Sequence, residues 1–230
     1  KYVVLDPIKV IASDYGAATT RTRVFFFGFK RRRFEMLNST SFETKRSITR
    51  VTVKRALEGL PTRIDPRWIT EETSWQQVGK MEGGHFADSI TGRIPEGIGD
   101  PIALERYDNN NEASGFIATR HDAKVRDRFA RVPQGSSDSV SRAPRLDPDG
   151  YCPTLRAGTG KDRGSYQSLR PIHPTADRVI TPREAARLQG FPDWFVFHPT
   201  KWHSFRQIGN SVSPIVAEKM LRIIFTKMQT

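Results

Sequence analysis

One cysteine, five histidines and a glycine-spaced basic run are the side chains of this 230-residue sequence best equipped to react with, or hold, another molecule. Cys152 becomes a nucleophile only if something stabilises its thiolate, and no histidine stands close to it in sequence, His173 being the nearest. A small buried side chain is the simpler reading. His198 and His203 are expected on one loop without the further ligands zinc requires, so no metal site is expected. Gly158, Gly160 and Gly164 have the wrong last spacing for a dinucleotide loop, and no strand leads into them. Gly160-Lys161 also fails as a phosphate loop, because Asp162 stands where a Ser or Thr is needed and the upstream Gly is absent. What Thr154 to Arg170 does offer is glycines among Arg156, Lys161, Arg163 and Arg170. Such a loop suits a phosphate backbone or, equally, plain solvation.

Composition points the same way. Against 25 acidic residues stand 37 basic ones, a formal charge of +12 that favours a polyanionic partner. A hydrophobic share of 37% permits a sizeable core in one or two domains. The lone cysteine excludes a disulfide framework and fits a reducing compartment. No apolar run approaches the ~18 residues of a membrane span. The opening KYVVLDPIKVIA lacks the features of a signal peptide and reads as a chain cut open inside a fold.

The elements that must position these residues fall into three zones. Tyr2 to Leu5 and Lys9 to Ala12 are short β-rich runs, and Arg23 to Phe29 is apolar enough to predict a central strand buried on both faces. Lys30 to Arg33 is a basic strand exit, and Ser47 to Leu60 predicts a helix ended by Pro61. From Thr62 to Thr175 no period is sustained, yet eight aromatics from Trp68 to Tyr166 argue against disorder. This zone is expected to be a loop-dominated small domain with a few short strands, presenting its side chains rather than burying them. Thr181-Pro182-Arg183-Glu184 is a capping box opening a helix to about Gln189, with Gly190 and Pro192 closing it. Pro214 to about Met228 predicts an amphipathic helix carrying Val216, Ala217, Met220, Leu221, Ile224 and Phe225 on one stripe, packed on the first zone.

Arg178 to Pro192 (RVITPREAARLQGFP) resembles the ninth motif of DNA cytosine-5 methyltransferases, and Gln207 to Val212 (QIGNSV) resembles their tenth. Asp14 to Gly28 is similar to their eighth, usually a Gly followed by Pro-Gln and two Arg one residue apart, and Thr154-Leu155 matches a pair recurrent in their target-recognition region. The resemblance implies an α/β fold: the C-terminal portion of a Rossmann-like methyltransferase domain with an inserted loop-rich α+β or β target-recognition domain. The corresponding division is residues 1–61 for the motif-eight end of the catalytic domain, 62–177 for target recognition, and 178–230 for motifs nine and ten with the closing helix.

By that resemblance the complete enzyme extrudes a cytosine from duplex DNA, attacks it with a thiolate and moves a methyl group from S-adenosylmethionine to C5. Arg23 matches the arginine near O2 of the extruded base, where positive charge stabilises electron density. Arg21 matches its neighbour that holds the DNA backbone and the active-site loops. Asn210, with Ser211, matches the cofactor-side positions of motif ten. Thr154, Leu155, Arg156, Lys161, Arg163 and Arg170 are expected to meet DNA. Arg178, Thr181, Glu184, Arg187 and Gln207 are expected to organise the motifs, Glu184 chiefly as a helix cap. Ala18-Thr19 stands where Pro-Gln is usual, and Ser213 where Pro is common. No Phe-x-Gly-x-Gly loop, Pro-Cys or Glu-Asn-Val is present, and Cys152-Pro153 has the reverse order. The chain alone is therefore expected to be inactive and to need an N-terminal catalytic portion or separate subunit. The family implies no membrane association and a cytoplasmic, nucleoid-associated setting if the source is bacterial. A DNA-binding module of the same fold that has lost catalysis is the alternative.

Overall fold

In the computed structural model, residues 2–30, 37–43, 49–92, 94–157 and 170–229 are described. The basic exit at 31–33, Lys161, Arg163 and Tyr166 lie outside them.

The first zone is an antiparallel ribbon. Strand β1 (Tyr2–Val4) pairs with β4 (Gly28–Lys30), and β2 (Ile8–Ile11) pairs with β3 (Thr22–Phe25). Val4 faces Gly28 while Ile8 faces Phe25, so the two ladders differ by one residue across a bulge at Asp6-Pro7 and Phe26. The central strand expected over Arg23 to Phe29 is therefore two short strands with a break between them. Alternation turns Val10, Phe25, Phe27 and Phe29 to the core, while Tyr2, Val4, Val24 and Phe26 stay exposed on the other face.

The helix expected over Ser47 to Leu60 shrinks to α1 (Val53–Ala56), and of its N-terminal part Thr49–Thr52 is not helical. Thr52 caps it through Arg55 N, and the amides of Val53 and Lys54 are taken by the carbonyls of Gly150 and Pro148, 3.0 and 2.8 Å away.

The middle zone is loop-rich, but its regular structure is mostly helical: α2 (His85–Thr91), α3 (Pro101–Asn110) and α4 (Ala123–Ala130), beside a two-residue ladder of β5 (Gln76–Gln77) and β6 (Glu112–Ala113). Asp100 and Asp122 cap α3 and α4 by accepting from the third amide. Phe86 on α2 and Phe129 on α4 are buried rather than presented, because these short helices need an apolar anchor to hold, and Phe116 after β6 is buried as well. Phe86, Ile90, Leu146 and Leu155 share one core with Val10, Tyr15, Val53, Ile215 and Met220.

The C-terminal zone follows the capping box closely. Helix α5 (Pro182–Leu188) starts at Thr181 with both box bonds present, and Gly190 ends the turn after it at φ +84°. Helix α6 (Lys201–Asn210) follows, which sequence reasoning missed, and it carries His203 off the loop assigned to it. Helix α7 (Pro214–Gln229) buries Ile215, Val216 and Met220 against the 3-10 turns Ala12–Tyr15 and Ser39–Phe42, while Leu221 and Phe225 remain exposed. Among the described residues no helix is long and apolar enough to cross a membrane.

Candidate active-site framework

Arg21 joins three distant segments. It is 2% exposed, donates Nη1 to Leu155 O at 3.0 Å and Nη2 to Gly209 O, and leaves Nε without a partner among the described residues. Leu155 follows the Cys152 segment and Gly209 lies in the last turn of α6, so one buried cation ties the N-terminal ribbon, the segment after Cys152 and the end of α6 together. A second tie runs beside it: Cys152 N donates to Ala18 O at 2.8 Å and Thr20 N to Cys152 O at 3.1 Å. Gly209 makes the approach possible, since a Cβ there would stand 2.6 Å from Ala157 N.

Arg23 lies on the same ribbon face as Arg21. It is half-buried, gives Nη1 to Thr22 O at 2.9 Å, and pairs with no carboxylate among the described residues. Burial lowers its pKa from the ordinary arginine value, yet the guanidinium stays charged and available. Thr19, at the usual Gln position, is fully buried and its hydroxyl has no partner among the described residues. It contributes packing here.

Of the residues expected on DNA, Thr154 and Arg156 are exposed, but the Leu155 side chain is 5% exposed and packed in the core. Leu155 thus serves the framework through its carbonyl and side chain. Arg170 is half-buried and stacks over Phe205, its guanidinium carbon 4.4 Å from the ring centre. Cys152 is wholly buried and its thiol is pushed far up by burial, in line with a structural role. Asn210 is exposed at the end of α6, where its amide makes no hydrogen bond among the described residues, while Ser211 Oγ donates to Ile208 O at 2.7 Å.

Motif nine is a buried polar frame. Glu184 caps α5 by accepting Thr181 N at 2.6 Å, and it also receives both terminal nitrogens of Arg178 at 2.9 and 2.7 Å. Arg178 Nη2 reaches on to Thr62 O at 3.0 Å. Glu184 is therefore more than a cap. Arg183, 0% exposed, holds the carbonyls of Ser114 and Phe195 at 2.7 Å each. Arg187 pairs through Nε and Nη2 with Asp193, both side chains fully buried, and gives Nη1 to Glu58 O at 2.6 Å. Gln189 Nε2 donates to Ile208 O at 3.1 Å, and Gln207 Oε1 accepts His198 N at 2.8 Å. Asp193, Gln189 and Gly209 were missed by sequence reasoning; only the motif spacing around them hints at a role.

His173 lies 3.4 Å from Glu184 and is 4% exposed. Burial is the largest influence and lowers its pKa to about 4, Glu184 pulls upward, and Arg178 and Arg145 push down. Burial would raise Glu184, but its hydrogen bonds and charge contacts with Arg178, then His173 and Thr181 N, outweigh it and hold the carboxyl below its ordinary value. For both groups the folded state binds fewer protons than the unfolded chain, so stability falls as pH drops. The His173 contribution is complete above about pH 6.5 and lost toward about pH 4, while that of Glu184 fades only as pH falls below its ordinary value. Between about pH 6.5 and 8 these two groups leave thermal melts level, and below that melts are expected to fall across the window. His173→Gln is expected to flatten the upper part of the decline, and an identical profile in the variant would contradict the assignment.

The family model for the C-5 cytosine-specific DNA methylase matches residues 6–226. The chain belongs to this family. It is 38% identical over 224 residues to the Type II methyltransferase M.XorII of Xanthomonas oryzae pv. oryzae, covering 94% of this chain and 49% of that one. A crystal structure from E. coli, assigned as a DNA modification methyltransferase encoded within a prophage, superposes with a TM-score of 0.88 at 49% identity, covering all of this chain and 62% of the other. S. pombe Dnmt2 methyltransferase superposes at a TM-score of 0.50 and 14% identity, which shows a shared fold alone. The chain spans about half the length of M.XorII and of M.DdeI from Desulfomicrobium norvegicum.

Proposed function

We propose that this methylase chain binds duplex DNA and holds an extruded cytosine for methylation at C5, as the C-terminal part of a larger catalytic unit. The observation that carries the reading is the Arg21 joint, which gathers motif eight, the Thr-Leu pair and motif ten around one buried guanidinium. Arg23, one alternation along the same face, carries an unpaired half-buried charge suited to electron density on a pyrimidine oxygen. The exposed Thr154 and Arg156 flank Leu155 in sequence and supply polar and cationic groups for DNA.

Asn210 fits a minor share of the cofactor's site: its amide is exposed, unpartnered among the described residues, and can both donate and accept. S-adenosylmethionine, when bound, supplies the methyl group. The attacking thiolate has to come from a Pro-Cys motif that these 230 residues do not contain. The open apolar face of Tyr2, Val4, Val24 and Phe26 supports a second portion packing there, because such a contiguous patch is unusual on a free surface.

Complementation tests the reading. Mixing the chain with a polypeptide bearing the cofactor loop and Pro-Cys is expected to yield methyl transfer to cytosine in duplex DNA, with neither part active alone. A folded complex that binds duplex but transfers nothing would favour a DNA-binding module that has lost catalysis.

A further inference from the structure

A cavity of about 350 Å³ opens between the start of α4 and the approach to α5, lined among others by Arg120, His121, Arg126, Arg178, Thr119 and Thr181. No Asp or Glu is among its described lining residues. Its cations differ in how far they are already engaged. Arg178 is neutralised by Glu184. Among the described residues the Arg120 side chain donates only Nε, to Pro66 O at 3.2 Å, a bond that fixes the side chain and leaves both terminal nitrogens for another acceptor. The Arg126 side chain is exposed and makes no hydrogen bond or ion pair among the described residues. His121 accepts Val179 N on Nε2 at 3.4 Å, which places its ring proton on Nδ1 as a further donor. The nearby carboxylate of Asp122 is turned to its own helix, accepting Val125 N at 2.7 Å.

The positive charge does not stop at the cavity. Lys201 Nζ is bonded to Ala118 O at 2.7 Å and Thr119 Oγ1 at 2.9 Å, at the cavity wall. Burial first, then the charge of Arg170, lowers Lys201 to about 8, and Lys201 in turn is felt by His121. A track of cations thus runs from Arg170, stacked on Phe205, through Lys201 to Arg120 and Arg126. Donors fixed from one side, two guanidinium forks and no acid make a receptor for an anionic oxygen cluster.

We infer that this cavity takes one phosphate of the DNA backbone, held by Arg120 and Arg126 at a distance from the target base. The inference rests on the proposed duplex binding and adds to it a contact outside the catalytic framework. A phosphate carries no base identity, so the site contributes affinity and register rather than sequence preference.

The test is duplex affinity of the 230-residue chain as a function of salt, measured for wild type, Arg126→Ala and Arg126→Lys. Each phosphate neutralised contributes about 0.9 to the slope of log affinity against log salt. Arg126→Ala is expected to flatten that slope by about one and to weaken unrelated sequences equally, while Arg126→Lys keeps most of it. A duplex with one neutral methylphosphonate at the contacted position is expected to weaken wild type more than Arg126→Ala, which keeps only Arg120 at the site. An unchanged slope in Arg126→Ala overturns the inference even though the wild type binds. So does saturation of Arg120 and Arg126 by inorganic phosphate without any effect on the slope, which would mark a site for free anions. A wild-type chain that binds no duplex at any salt removes the parent reading as well. Because Arg126 is exposed and unbonded, identical thermal melts are expected and separate lost contact from lost fold.

Discussion

Arg23→Ala is expected to slow methyl transfer by about 10²–10³-fold in the complemented enzyme while duplex affinity changes by only a few-fold. The asymmetry follows from its surroundings. The only hydrogen bond of its side chain among the described residues is to the neighbouring Thr22 carbonyl, so little of the fold depends on it. Its charge is half-shielded from water and opposed by no carboxylate among the described residues, which makes it worth more to a developing negative charge than an exposed arginine would be. Arg23→Lys keeps the charge without the planar fork and is expected to recover part of the rate. Single-turnover rates beside binding curves decide the matter, and a variant that loses affinity and rate together would place Arg23 on the backbone instead of the base.

Asp193→Ala is expected to destabilise the chain by about 3–5 kcal/mol, because it leaves the fully buried Arg187 cation without its counter-charge. Melting is then lowered by roughly 10 °C for a chain of this size. Arg187 still holds Glu58 O and Ala56 O, so the loss propagates to the end of α1. The double change Arg187→Met with Asp193→Leu is expected to be milder than Asp193→Ala alone, since it removes the stranded charge as well. Equal destabilisation by the single and double changes would show that packing, and not charge burial, governs the site.

How far the sequence spoke depended on the range of each interaction. The Thr181 capping box and the extent of α7 rest on neighbours within one or two turns, and both were legible, but the stripe on α7 was only partly right: Leu221 and Phe225 are exposed while Ile215 and Ile223 join the core side. Helix α6 was not, because Thr200 makes no side-chain cap and the helix ends through Gly209 and Asn210, residues that read as loop. The run Arg23 to Phe29 hid its alternation, since apolar residues occupy both faces and the bulge shifts the register. Arg183 and Arg187 were legible as polar positions of a motif-like helix, but their burial was not. Their partners lie at Ser114 and Glu58, far along the chain, and only folding shows them to be interior. The Thr-Leu pair was legible as a motif, while the division of labour between an exposed Thr154 and a buried Leu155 was not.

Because Arg21 grips main-chain oxygens at Leu155 and Gly209, the clasp is blind to most side chains around it. Side-chain changes at the exposed neighbours Thr154 and Arg156 are therefore expected to leave the clasp itself intact. What surrounds the joint is thereby free to vary while the joint is kept, and Gly209 has no such latitude, because any side chain there would run into Ala157.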